Sequence, residues 1–172
     1  MKSRKILFIG DSLIEFFNWP RRFPVHQVWS RGRAGETVAG LLSRLPELGD
    51  DVWPDLVVIM TGTNDVGMEN FGFISVYGAL IDALQKNWPE AEILINSLMP
   101  FHLDWITEST VPRMNEKLAD LAREKGICYL NVYPLFLDQQ GRVIGGLFLE
   151  DEVHLSDEGY RVWSGALERF LE

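Results

Sequence analysis

The chain has 172 residues, 47% of them apolar and 24% charged, the proportions of a single globular domain with one sizeable core, residues 1–172. Its net charge of −9 at pH 7 argues against a nucleic-acid partner, which would need a basic face to displace phosphate counterions, and against docking on anionic lipid. A neutral or amphiphilic small molecule stays open as the partner. One cysteine, Cys128, allows no intrachain disulfide; it sits in an apolar run and reads as a structural thiol. No stretch approaches the roughly 20 apolar residues of a membrane helix. The basic start is followed by an apolar run too short for a signal peptide, stopped by Gly10-Asp11. The expectation is a cytoplasmic chain without a membrane span.

The first apolar run, residues 5–10, reads as a buried strand and ends in Gly10-Asp11-Ser12-Leu13. The second, 25–30, contains His26, read as structural, and is followed by Gly32-Arg33-Ala34-Gly35-Glu36-Thr37. Arg31 and Arg33 read as solvated loop charges. A short helical spacing covers 37–45. The third run, 56–61, opens with Leu56-Val57-Val58-Ile59-Met60, the pattern of a parallel strand covered on both faces. Gly62-Thr63-Asn64-Asp65 follows it, with Asp65 read as a turn stabiliser.

Residues 66–73, with Met68, form an apolar loop. A longer helix spans 73–87, its apolar residues recurring at three- and four-residue steps, and Pro89 ends it. The fourth strand, 92–97, leads into the aromatic loop 101–107, with Phe101, His102 and Trp105. Met68, Phe101, His102 and Trp105, together with Asp11, are candidates for the substrate pocket. An exposed aromatic patch at Trp105 would allow a homodimer. Helix 110–125 closes on Gly126 as a C-cap, strand 127–132 follows, and Asp151-Glu152-Val153-His154 precedes a last helix over 156–172 with Ser156 as its N-cap.

Strands alternating with helices imply an α/β fold, a parallel sheet covered by helices on both faces. In such sheets ligands bind beyond the carboxyl ends of the strands. Four polar segments, three of them glycine-bearing, collect at that edge. A serine hydroxyl needs an adjacent base to act as a nucleophile. His154 can be that base, and Asp151, three residues earlier, can hold the ring in the right tautomer. The oxyanion of an acyl-transfer intermediate needs donors already in place. The backbone N–H groups of Ser12 and Gly35 and the side chain of Asn64 are the candidates. Asp11 is read as orienting its loop by accepting backbone N–H bonds. Asp and His alone do not make a metal site, and no cofactor is expected.

The four blocks resemble the SGNH hydrolases, also known as the GDSL esterases and lipases. Gly10-Asp11-Ser12-Leu13 resembles the nucleophile block, Gly35 the oxyanion glycine, Gly62-Thr63-Asn64-Asp65 the oxyanion asparagine block, and Asp151-x-x-His154 the acid–base block. The second block lacks the asparagine often found before it, having Ser30-Arg31-Gly32 instead, which leaves Gly32 as an alternative to Gly35. The resemblance implies a flavodoxin-like three-layer αβα sandwich with five parallel strands in the order 2-1-3-4-5. It further implies metal-free ester or related acyl hydrolysis through an acyl-enzyme. Met99-Pro100-Phe101 and Asp151-Glu152-Val153-His154-Leu155 are loosely similar to the platelet-activating-factor acetylhydrolase branch, which hints at short acyl chains. Lysophospholipase, thioesterase and carbohydrate deacetylase activities are alternatives. So is a non-catalytic flavodoxin-like module that binds a nucleotide or flavin phosphate. Against that module, Asp11 and Glu15 would repel a phosphate after the first strand.

Overall fold

The computed structural model describes residues 3–49 and 51–172. Five parallel strands, β1 Lys5–Gly10, β2 Gln27–Gly32, β3 Leu56–Met60, β4 Glu92–Asn96 and β5 Cys128–Leu130, pair in the order β2-β1-β3-β4-β5. The helices between them are α1 Ser12–Glu15, α2 Trp19–Arg22, α3 Val38–Ser43, α4 Thr63–Gly67, α5 Phe73–Asn87 and α6 Thr110–Lys125, with α7 Asp157–Leu171 closing the chain.

The continuous apolar runs are strands because both faces of the sheet are covered. Alternate residues feed two separate cores. Leu7, Ile9, Val57, Ile59, Ile93 and Ile95 pack with residues of α3, α5 and α6. Ile6, Phe8, Leu56, Val58, Met60 and Leu94 pack with Trp19 of α2 and with Tyr160 and Trp163 of α7. The second core is aromatic: Phe8 stacks on Trp19 with ring centroids 4.3 Å apart, and Trp163 meets Trp19 edge-on at 4.8 Å. The buried indole of Trp163 donates to Asn96 Oδ1 (3.0 Å), and Asn96 Nδ2 donates to the Ile59 carbonyl (3.0 Å). This chain of bonds ties α7 to the carboxyl ends of β3 and β4.

β2 differs from the expected 25–30 by two residues. Its ladder begins where Gln27 meets Lys5 and ends where Gly32 meets Gly10. Val25, after Pro24, is exposed. Apolar character located the run, but the pairing with β1 set its register, and the polar Arg31-Gly32 end carries no apolar signal. His26 therefore precedes the strand, where its Nδ1 accepts from the Arg4 N–H (3.1 Å); burial, then the nearby Arg4, lowers its pKa. β5 is shorter than the expected 127–132, because Val132 and Tyr133 turn away to donate to Ser97 Oγ. Cys128 is half-buried and lies 3.1 Å from Glu92, and burial together with that carboxylate pushes its thiol up to about 11.

The caps are as expected: Ser156 Oγ accepts from the Gly159 N–H, and Gly126 takes a left-handed φ of 66°. The short helices α1, α2 and α4 carry too few residues to show a helical period. Between β5 and α7 the chain is organised by two isolated bridges, Leu137 with Val143 and Phe148 with Leu155. The second bridge shapes the segment that carries Asp151 and His154.

Candidate active site

β1 delivers Gly10 to the carboxyl edge, where the Asp11 N–H donates to the Met60 carbonyl (3.3 Å). Asp11 then caps α1, its Oδ1 accepting from the Leu13 N–H at 3.0 Å. Ser12 is the first residue of α1, so its N–H has no intrahelical acceptor. From the far end of the chain, His154 places Nε2 at 3.0 Å from Ser12 Oγ and Nδ1 at 2.6 Å from Asp151 Oδ2. The other carboxylate oxygen, Oδ1, accepts from the backbone N–H groups of Val153 (3.0 Å) and His154 (2.9 Å). One carboxylate thus fixes both the ring and the turn that carries it. Burial pushes the Asp151 pKa up, but the His154 ring and these two N–H groups outweigh it and hold the carboxyl below its ordinary range. An Nδ1–H directed at the carboxylate leaves Nε2 bare toward the serine hydroxyl.

The acid–base turn is held by main-chain bonds: the Leu149 N–H to the His154 carbonyl (2.8 Å), the Ser156 N–H to the Leu147 carbonyl (3.0 Å) and the His102 N–H to the Glu152 carbonyl (3.0 Å). Glu152 sits at φ 56°, a left-handed conformation unusual for a residue with a Cβ. Phe16, exposed at the end of α1, lies against the His154 ring with centroids 5.4 Å apart.

The segment after β2 is tied on every side. The Arg33 N–H donates to the Gly10 carbonyl (2.9 Å), the Ala34 N–H to the Glu15 carboxylate, and the Glu36 N–H to the Arg33 carbonyl (3.2 Å). Between Arg33 and Glu36, Gly35 is the residue whose N–H donates to no described residue. Its φ of 74° is left-handed, and a Cβ there would meet nothing within 4 Å. Gly32 differs: a Cβ there would lie 2.3 Å from the Glu15 nitrogen and 2.8 Å from the Asp11 carbonyl. Gly32 is a packing glycine where α1 crosses β2, and Gly35 faces open space. Asn64, in α4, donates from Nδ2 to the Glu36 carbonyl at 3.0 Å. That bond occupies one of the two amide hydrogens and fixes the orientation of the other. Asp65 accepts from the Val38 N–H (2.9 Å) and from Asn70 Nδ2 (3.0 Å), so it ties α3 to α4 and anchors the turn.

The candidate pocket residues separate. Asp11 is 1% exposed and lies beneath Ser12 rather than in an open pocket. Its Oδ2 has no partner among the described residues, and burial, with Glu36 and Asp65 nearby, raises its pKa to about 7. Phe101 and His102 line a groove of about 310 Å³ with Tyr133 and Arg142. Met68 and Trp105 are exposed. The Trp105 indole donates to the Gly67 carbonyl at 2.8 Å, joining the two apolar loops. Sequence reasoning missed Phe16 and the Glu15 carboxylate. It also missed the ion pair of Glu36 and Arg44, which looks in sequence like two surface charges.

The parallel sheet in this order, covered by helices on both faces, is a three-layer αβα fold with Ser12, His154 and Asp151 in a row beyond its carboxyl edge. The family model for the GDSL-like lipases/acylhydrolases matches residues 8–162, and the chain belongs to that family. Platelet-activating factor acetylhydrolase IB subunit alpha1 of Bos taurus is 29% identical over 180 residues, covering 99% of this chain and 76% of the relative. Among solved structures, a Streptococcus pneumonia protein described in connection with platelet activating factor superposes with a TM-score of 0.86 at 24% identity, covering 99% of this chain and 85% of that one. An acetylxylan esterase from Geobacillus stearothermophilus superposes with a TM-score of 0.77 at 22% identity, covering 98% and 95%.

Proposed function

We propose that the protein is a serine esterase that cleaves carboxylic esters of short acyl chains through an acyl-enzyme. Ser12 Oγ attacks the ester carbonyl while its proton passes to His154 Nε2. Asp151 holds the ring and stabilises the imidazolium that forms. The tetrahedral oxyanion takes hydrogen bonds from the N–H groups of Ser12 and Gly35 and from Asn64 Nδ2. Collapse expels the alcohol, which takes the proton from His154. Water, deprotonated by the same ring, then attacks the acyl-Ser12 ester and releases the carboxylic acid and the free serine.

The observation that carries this reading is the row Ser12 Oγ–His154 Nε2 (3.0 Å) and His154 Nδ1–Asp151 Oδ2 (2.6 Å). The short acyl chain draws on the names of two similar proteins, one an acetylhydrolase and one an acetylxylan esterase.

Reaction with a fluorophosphonate and mass mapping should place one adduct on Ser12. Ser12→Ala should lower kcat on p-nitrophenyl acetate by a factor on the order of 10⁶ without changing the circular-dichroism spectrum. A folded Ser12→Ala protein with near-native activity would remove Ser12 from the mechanism. In a series of p-nitrophenyl esters, kcat/KM should be highest for the shortest chains, and a maximum at long chains would refute that part of the reading.

A further inference from the structure

Glu36 and Arg44 form an ion pair whose side chains are 4% and 7% exposed. The pair is bidentate: Arg44 Nε reaches Glu36 Oε1 at 2.6 Å and Nη2 reaches Oε2 at 2.5 Å. Arg44 Nη2 also donates to the carbonyl of Arg31 at 2.9 Å. Arg33, on the surface, adds a distant contact of 4.0 Å to Glu36. Removing two charges from water is expensive, and a well-packed apolar pair of the same volume is often as stable or more so. The pair therefore needs an explanation other than stability.

Its position supplies one. Arg44 caps the end of α3, and its guanidinium grips the end of β2 at the Arg31 carbonyl and the following segment at the Glu36 carboxylate. Gly35 lies between these grips. The backbone carbonyl of Glu36 is the acceptor for Asn64 Nδ2. A single residue thus abuts one candidate oxyanion donor in sequence and holds the other by a hydrogen bond. We propose that the Glu36–Arg44 pair is the positioning device of the oxyanion hole: it fixes the Gly35 N–H and, through the Glu36 carbonyl, the Asn64 amide where the developing negative charge will appear. This rests on the proposed use of those two donors. Neither Glu36 nor Arg44 touches the reacting atoms. Preorganised donors contribute because they need no rearrangement as charge develops, and a displacement of about 1 Å can cost about 10²-fold in rate.

The double variant Glu36→Met/Arg44→Met replaces the pair by apolar groups of similar length. It should melt within a few degrees of the wild type, yet lose roughly 10- to 100-fold in kcat on p-nitrophenyl acetate with KM nearly unchanged. Fluorophosphonate labelling of Ser12 should slow by a similar factor, because phosphonylation builds the same charge. Arg44→Gly should lose activity likewise and regain part of its kcat when guanidinium chloride is added at low millimolar concentration. Native kcat in a folded double variant, or an activity loss in Arg44→Gly that guanidinium does not relieve, would overturn the positioning role. If the double variant does not fold, the guanidinium titration of Arg44→Gly decides. Failure here with an inactive Ser12→Ala would leave the esterase reading standing; full activity of Ser12→Ala would remove both.

Discussion

Glu36 and Arg44, at 4% and 7% exposure, lie within the fold on the proposed oxyanion side of the site, whereas Asp151 and His154, at 49% and 29%, stand on a surface turn. On the first side, contacts run between α3, α4 and the segment after β2, through the guanidinium of Arg44, the amide of Asn64 and the carboxylate of Asp65. On the second, main-chain bonds among residues 147–156 and one carboxylate suffice. The chemistry in the proposed mechanism accounts for the contrast. Oxyanion donors act only if they are fixed before charge develops, which favours burial and multiple restraints. A base gains a charge during each half-reaction, and solvent near its ring eases that change. The two halves should therefore respond differently to substitution.

The largest expected effect lies on the exposed side. Asp151→Asn should lower kcat by about 10⁴, since an amide stabilises neither the required tautomer nor the imidazolium. Its melting temperature should barely move, because an exposed ion pair contributes about 0–1 kcal/mol. A large drop in melting temperature would mean that the turn itself depends on the pair, and the contrast between the halves would fail. Kinetics on p-nitrophenyl acetate, paired with thermal melts, read both quantities.

At Asn64, on the buried side, activity and stability should fall together. Asn64→Ala removes one proposed oxyanion donor, with an expected loss of about 10²–10³ in kcat. It also leaves the Glu36 carbonyl without its donor, which costs about 1–3 kcal/mol in stability. Urea denaturation of the variant checks the second part. A loss of kcat at unchanged stability would show that the bond between Asn64 and Glu36 restrains nothing.

The smallest effect separates the halves by the sign of a pH dependence. Burial raises the Asp11 pKa from 3.8 to about 7, with Glu36 and Asp65 adding to the shift. Between those values the folded protein holds a proton that the unfolded chain has released, so stability falls as pH rises through that window and levels off above about 7. Asp151, held below its ordinary range, acts in the opposite sense: its contribution is present above its unfolded value and is lost as pH falls through the folded one. Asp11→Asn should flatten the fall in stability between pH 5 and pH 8, by at most a few kcal/mol. Asp151→Asn should leave that fall in place. Urea melts at the two pH values measure both, and an unaltered slope in Asp11→Asn would assign the proton to another group.

The amino-acid sequence determined the strand–helix alternation, because burying both faces of a parallel sheet demands the unbroken apolar runs seen at Ile6–Ile9 and Leu56–Met60. It also marked the three glycine-bearing segments at the strand ends, since sharp turns there restrict which residues can stand in them. Helix ends were legible at Ser156 and Gly126, where capping is a local property of a few residues. Tertiary structure alone decided the register of β2, which follows its hydrogen bonds to β1 rather than its own apolar content. It separated Gly32, which packs against α1, from Gly35, which faces open space. It buried Asp11 beneath the serine and joined Glu36 to Arg44. Those outcomes depend on which atoms meet across elements distant in sequence, and a charged side chain looks the same in a sequence whether it ends in solvent or against a partner.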